Sequence, residues 1–301
     1  VHRRTMLKLM ASGLLAGLAT VSYPFLEAFA RPRIQSYRVT PRNWTSGLQL
    51  KMAVIADVHA CRPWMDGRRV TSICRQAQDL DADLILLLGD YMPGIRRFAE
   101  PLASEEWLKP LAALTAPLGV HAVLGNHDYW SDAAVQRDST REPVVATLLR
   151  DAGITVHINH AVRLEKDGRP FWLAGLGDQI AFPAWARFNR NQELGADDMP
   201  DLLSHITDDA PAILMAHEPD VFMSPHARFS LTLSGHTHGG QFNLFGWRPF
   251  SASRGSRVFP AGYFQHDGCD LIVSRGLGCS SLPLRIGSWP EILLIELGES
   301  R

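Results

Sequence analysis

Cysteine is scarce in this chain, with four residues among 301, at positions 61, 74, 269 and 279. No two form a Cys-x-x-Cys pair, which excludes a zinc ribbon and a thioredoxin-like redox motif. Cys61, Cys74, Cys269 and Cys279 are either buried free thiols, the common fate of an isolated cysteine, or partners in disulfides. An excess of charge is also missing, with 30 Lys and Arg against 31 Asp and Glu. No net field is available to hold nucleic acid by its phosphates, and none is expected as a partner. Internal repeats and low-complexity tracts are absent, so a solenoid is not expected. A chain this long, 46% hydrophobic, suffices for one large domain or two small ones around a real core.

The first thirty residues differ from the rest. RRTMLK (Arg3 to Lys8) precedes LMASGLLAGLATVSYPF, a moderately apolar run rich in Gly and Ala. The stretch closes on AFA (Ala28 to Ala30), a small-residue cleavage pattern. The paired arginines resemble a twin-arginine export signal. That resemblance implies delivery by the twin-arginine export machinery to the periplasm or the outer face of the cytoplasmic membrane. Cleavage after Ala30 is expected. An uncleaved membrane anchor is the alternative, because the run is just long enough to span with tilt. A polar connector, residues 31–47, then leads into a domain covering residues 48–301.

That domain alternates apolar runs with segments of helical spacing. LKMAVIAD ends at Asp57, DLILLLGD at Asp90, and GVHAVLGNHD at Asn126, His127 and Asp128. FWLAGLGD ends at Asp178, PAILMAHEPD carries His217, and FSLTLSGHTH carries His236 and His238. Near-continuous apolar runs of this length read as strands covered on both faces. Between them, Val70, Ile73, Cys74, Ala77 and Leu80 mark one helix, and Val144, Val145, Leu148 and Leu149 another, stopped by Gly153. Pro110 should kink or shorten a third, ASEEWLKPLAALTA. Strands alternating with helices predict an α/β layered fold. The last part, Gly246 to Arg301, reads as closing strands with long loops in the same domain.

In open α/β sheets, ligands bind beyond the carboxyl ends of the strands. Here those ends carry Asp, Asp, Asn-His-Asp, His and His-x-His. His236 and His238 stand two apart; on a strand both imidazoles would face one point in space. Buried carboxylates and imidazoles massed together repel one another or shift their pKa values unless a cation holds them. Carboxylate, amide and imidazole donors without thiolate suit Mn, Fe, Zn or Co. Asp57, His59, Asp90, Asn126, His217, His236 and His238 are too many donors for one tetrahedral ion. They suit two divalent ions, about 3.5–4 Å apart in hydrolytic pairs.

DVH (Asp57 to His59), GD (Gly89-Asp90), GNHD (Gly125 to Asp128), the lone His217 and GHTH (Gly235 to His238) resemble the five motifs of the calcineurin-like metallophosphoesterases. They occur in order with no ligand missing. GHTHGGQ, SRGLG (Ser274 to Gly278) and the PLRI…PEI tail further resemble the exported bacterial branch of the YkuE and YaeI type. The resemblance implies a single-domain α/β/β/α sandwich and a di-metal phosphoric ester hydrolase. It assigns one ion to Asp57, His59 and His238, and the other to Asn126, His217 and His236, with Asp90 bridging. It also implies in-line attack on phosphorus by a hydroxide held by the two ions. His127 would hydrogen-bond the phosphate or protonate the leaving alkoxide, with Asp128 fixing its tautomer. Simple support of the ligands is the other reading of that pair. The charge count agrees: four positive charges against three on Asp57, Asp90 and the hydroxide favour an anionic phosphate.

Arg275, in SRGLG, could neutralise a substrate phosphate or belong to a structural ion pair. Trp64, Tyr91, Trp130, Phe182, Trp185 and Trp247 are core residues, or they line a groove for an amphiphilic substrate. Arg62, Arg68, Arg96 and Arg97 would then meet its head group, with the membrane surface nearby. The expected substrate is a phosphodiester or pyrophosphate, envelope or lipid-linked. The alternatives are a UDP-diacylglucosamine-type pyrophosphatase and a non-catalytic metal-binding envelope protein. A zinc amidohydrolase would not predict Asn126 beside His127.

Overall fold

Six apolar runs expected as covered strands become the parallel strands of two stacked sheets. The computed structural model describes residues 3–94, 99–183, 194–280 and 282–298. Arg96, Arg97 and Trp185 lie outside the described residues. In chain order the strands are β1 (Arg33–Val39), β2 (Leu50–Ile55), β3 (Cys61–Arg62), β4 (Leu84–Leu88), β5 (Glu100–Pro101), β6 (Val120–Val123) and β7 (Thr155–Val156). They continue as β8 (His160–Lys166), β9 (Arg169–Gly175), β10 (Ala212–Met215), β11 (Leu231–Ser234), β12 (Gly262–His266), β13 (Cys269–Val273) and β14 (Glu291–Leu297). One sheet has the order β1-β14-β2-β4-β6-β7, the other β12-β13-β11-β10-β9-β8. Neighbours from β2 to β7 are parallel, as are β9, β10, β11 and β13. Antiparallel β8 and β12 close the two edges of the second sheet.

The side-chain period of two explains the layering. In β4, Leu84, Leu86 and Leu88 enter a cluster between the sheets with Met52, Val54, Leu173, Ile213, Met215 and Leu231. Ile85 and Leu87 point the other way, to a second cluster. That cluster includes Val70, Ile73, Cys74 and Ala77 of α2 (Gly67–Gln78), Trp107 of α3 (Ser104–Ala112) and Val145 and Leu149 of α6 (Val144–Asp151). The far face of the second sheet packs Trp172, Ala174 and Leu214 on Leu202 of α7 (Met199–Ser204). Helix, sheet, sheet and helix layers follow one another, as expected. Both helices form where their spacing placed them, although Leu80 lies beyond the end of the first and Val144 of the second is exposed. Asp66 caps α2, its side chain accepting from Arg69 N at 2.9 Å. Helix α3 runs through Pro110 but ends two residues beyond it, short of the apolar stretch that follows.

Two features differ from expectation. The stretch expected as a connector contains β1, which pairs with β14 over seven residues. It reads as polar because an edge strand leaves alternate side chains in water. The expected signal segment is the helix α1 (Arg3–Phe29), whose last turn packs against the domain. All four cysteines are buried free thiols.

Candidate metal centre

Every expected ligand follows the carboxyl end of a parallel strand. Asp57 and His59 follow β2, Asp90 follows β4, and Asn126 opens α4 (Asn126–Trp130) after β6. His217 follows β10, and His236 and His238 follow β11. Three loops come from one sheet and two from the other, so the site forms across the seam between them. Backbone bonds tie the first loops together, Asp57 N to Gly89 O at 3.1 Å and His59 N to Asp90 O at 2.9 Å.

The ligands fall into two sets. Asp57, His59 and His238 bring ligating atoms within 4.8 Å of one another, and Asp90, His217 and His236 do the same. Asp90 stands between the sets, Oδ2 being 3.4 Å from His59 Nε2 and 3.2 Å from His217 Nε2. Asn126 Oδ1 lies 3.0 Å from His236 Nδ1, which adds the amide to the second set. His59 and His238 stack at 5.0 Å between ring centroids, with their Nε2 atoms 3.1 Å apart. His59 Nδ1 and His217 Nδ1 bond the carbonyls of Met92 and Leu88 at 2.9 and 2.6 Å. A carbonyl only accepts, so each ring donates from its Nδ1–H and turns Nε2 into the site.

His236 and His238 do not share a strand face. Strand β11 ends at Ser234, and the two histidines reach different sets through left-handed backbone, with φ of 66° and 50°. Asp57, His59 and Asp90 also have positive φ, at 54°, 46° and 58°. Five left-handed non-glycine residues in one place store strain on the order of 1–3 kcal/mol each. Close packing fixes them. A Cβ on Gly125 would lie 2.4 Å from Asp90 Oδ1, and one on Gly276 would lie 2.5 Å from Asp57 Oδ2. The SRGLG stretch is therefore a lid against Asp57.

Electrostatics ask for cations here. Asp57, Asp90, Asp128, Asp178 and Glu218 are all buried. Burial, then the Asp90 charge, pushes Asp57 up to about 7 despite the pull of His217. Burial alone would lower His217, but Asp90, Glu218 and Asp57 hold it well above the usual imidazole range. Burial would raise Asp90, yet His217, His127 and His59 hold it well below. Burial keeps His59, His236 and His238 neutral, with His236 lowered to about 3. Asp57 Oδ2 and His236 Nε2 are buried without a hydrogen-bond partner. Orphaned lone pairs of this kind are costly unless a cation takes them. The residues present fit two divalent ions.

His127 is half-buried at the mouth, edge-on to His59 at 4.9 Å and 5.0 Å from Trp130. Its backbone N–H donates to Asp90 Oδ1 at 2.9 Å. The Asp128 carboxylate accepts four backbone N–H groups, from Asp90, Tyr91, Met92 and Gly125, at 2.9–3.0 Å. It holds the Asp90 loop in place. Burial and the Asp90 charge push its carboxyl up to about 7, against those four donors.

Arg275 pairs with buried Glu291 at 2.6 Å, and Arg62 pairs with Glu106. Arg68 is exposed and reaches Asp66 at 3.3 Å. Tyr91 and Phe182 are core residues, and Trp64 packs beside Ala28 and Cys279. Trp130 stands next to His127, its indole N–H bonding Ile180 O at 3.0 Å, and Trp247 is exposed. Sequence reasoning missed three groups around the ligands. Glu218 gathers with Asp178 and His217. Fully buried Arg285 places Nη2 3.1 Å from His238 Nδ1, and the Ser288 hydroxyl bonds the His238 carbonyl. The charged residue beside His217 and the arginine of PLRI were the available signals.

Residues 50–240 match the calcineurin-like phosphoesterases. The chain belongs to that family. It is a phosphoester hydrolase of a dimetal-dependent family, and its buried His and Asp clusters are candidate metal sites. The chain is 31% identical over 217 residues to the uncharacterized metallophosphoesterase YkuE of Bacillus subtilis, covering 71% of this chain and 68% of YkuE. It is 26% identical over 283 residues to an uncharacterized metallophosphoesterase of Aquifex aeolicus, covering 92% and 95%. It is 28% identical over 250 residues to the phosphodiesterase YaeI of Escherichia coli, covering 82% of each.

Proposed function

We propose that this phosphoesterase hydrolyses a phosphodiester or pyrophosphate bond in an envelope or lipid-linked substrate, on the outer side of the cytoplasmic membrane. The observation that carries the reading is the pair of buried ligand sets sharing Asp90. Two divalent ions, when bound, supply Lewis acidity at the phosphoryl oxygens and a nucleophile at neutral pH. Asp57, His59 and His238 would hold one ion, and Asn126, His217 and His236 would hold the other. Oxygen and nitrogen donors without thiolate suit Mn, Fe, Zn or Co. Asp57 and Asp90 would leave two divalent ions with a positive surplus that draws an anionic phosphate, since burial raises Asp128, Asp178 and Glu218 toward their neutral forms. His127, at the mouth, orients a phosphoryl oxygen or protonates the leaving alkoxide, and Asp128 holds the Asp90 loop under it. YaeI's name as a phosphodiesterase supports a diester. Exposed Trp247 and Phe245 support an amphiphilic substrate.

The test is hydrolysis of bis-p-nitrophenyl phosphate against p-nitrophenyl phosphate, after chelation and reloading with Mn, Zn, Co or Fe. Diester turnover with at least one metal is expected, with Asp90→Ala lowering it on the order of 10³-fold. Failure to bind any metal would sink the reading of the seven ligands. Monoester turnover alone would overturn the diester assignment.

A further inference from the structure

The first thirty residues read as a removable signal, yet their last turn is built into the domain. Glu27 is 1% exposed, and its carboxylate accepts the backbone N–H groups of Gly287 and Ser288 at 3.0 and 2.5 Å. Arg285 N donates to Pro24 O at 2.9 Å, and Arg69 Nη2 donates to Ala30 O at 3.1 Å. Ala28 is buried against Cys279, Trp64 and Ala99. The receiving segment also holds a metal ligand. Ser288 Oγ bonds the His238 carbonyl, and Arg285 Nη2 meets His238 Nδ1 at 3.1 Å. Glu27 is thus one step from His238, through the backbone of the 285–288 turn.

Cleavage after Ala30 would remove that carboxylate and leave two N–H groups without their acceptor. A signal peptidase reads the small side chains of an accessible, extended segment; here Ala28 is helical and buried. Further toward the N-terminus, the large apolar side chains of α1 face outward. Leu7, Leu9, Met10, Leu14, Leu15, Leu18 and Val21 are all exposed, as expected of a helix facing lipid. The uncharged run from Leu9 to Leu26 is about 27 Å long as a helix, close to a hydrocarbon core of about 30 Å. Arg3, Arg4 and Lys8 lie at the far end from the domain, which places that end on the cytoplasmic side.

The same turn organises a second apolar feature. Asn243 N bonds Ile286 O at 2.7 Å, and the loop beyond it exposes Leu244, Phe245, Trp247 and Phe250 around Arg248. Phe250 and Leu282 line a cavity of about 300 Å³ that reaches His238. An apolar loop with a basic residue suits the headgroup boundary of a bilayer.

We propose that α1 is retained as a membrane anchor whose last turn belongs to the metal site, with Glu27 a positioning residue for His238 and the 244–250 loop resting in the bilayer. The substrate class is then a phosphoester carried on a membrane lipid, a point that alone rests on the phosphoesterase reading. The remaining claims are read without turnover.

Intact mass and N-terminal sequencing of the full chain from membranes should find residues 24–30 present and the protein released only by detergent. A mature N-terminus at Arg31, or a soluble protein, overturns the proposal. Chelator competition on Glu27→Ala should show about 10-fold or greater weakening of one ion of the two, with partial recovery in Glu27→Gln. Wild-type affinity for both ions in both variants overturns the positioning role. Loss of both ions in Glu27→Gln shows unfolding rather than positioning, and does the same. Trp247→Phe should remove most tryptophan quenching by lipids brominated near the headgroup; unchanged quenching takes the loop out of the bilayer. Intact anchoring with no turnover of any phosphoester would defeat the functional reading and leave the anchor standing.

Discussion

Asp90 is the residue on which the site depends most. It faces His59 and His217 from one oxygen while its other oxygen accepts the His127 N–H. Asp90→Ala should lower diester turnover on the order of 10³-fold and reduce bound metal below two ions per chain, as elemental analysis would show. His127→Ala should keep both ions and lose about 100-fold in kcat, the usual scale for a proton donor. Equal loss of metal in both variants would move His127 from proton donor to support. The titrations also have a sign. Asp57, raised to about 7, is largely protonated at pH 6 and largely ionised at pH 8. A divalent ion binds only the carboxylate, so loading releases more protons at pH 6 than at pH 8, and affinity falls as pH drops through 7. Calorimetry in buffers of different ionisation enthalpy measures that difference.

At the scale of elements, the strands set the stage and the loops set the geometry. Leu86 sits in the middle of β4, completely buried between the sheets. Leu86→Ala should destabilise by about 2–5 kcal/mol through lost transfer energy and a residual cavity, seen as a lower denaturation midpoint with unchanged slope. Gly125 is the contrasting case. A methyl there meets Asp90 Oδ1 and the His217 ring, neither of which has room to move. Gly125→Ala should leave the helical and sheet signal intact while metal affinity falls at least 10-fold. Loss of the fold rather than of the ions would show that this loop supports the whole sheet edge.

For the whole molecule, the stacked sheets bring loops far apart in the chain to one seam, and five buried carboxyls gather there. Bound divalent ions should stabilise the native state by about 2.7 kcal/mol per site at a hundredfold excess over Kd. Chelation should therefore lower Tm by several degrees at neutral pH, and reloading should restore it. Equal melting with and without metal would mean that the ligand cluster holds itself together by other means.

The sequence by itself determined the layered fold and singled out the seven candidate donors. Continuous apolar runs ending in Asp, Asn or His are local patterns, and local patterns survive in one dimension. It could not show that β1 lies within residues 31–47, because an edge strand with one face in water looks like a linker. Nor could it show that His236 and His238 part company, since left-handed backbone at a non-glycine residue is imposed by contacts from elsewhere. Asp128 spreading its carboxylate over four N–H groups, Arg285 behind His238, and Glu27 on the 285–288 turn were decided by the tertiary structure alone. Apart from the local Gly125–Asp128 bond, each joins residues tens to hundreds of positions apart, and such separations carry no periodicity for the chain to display.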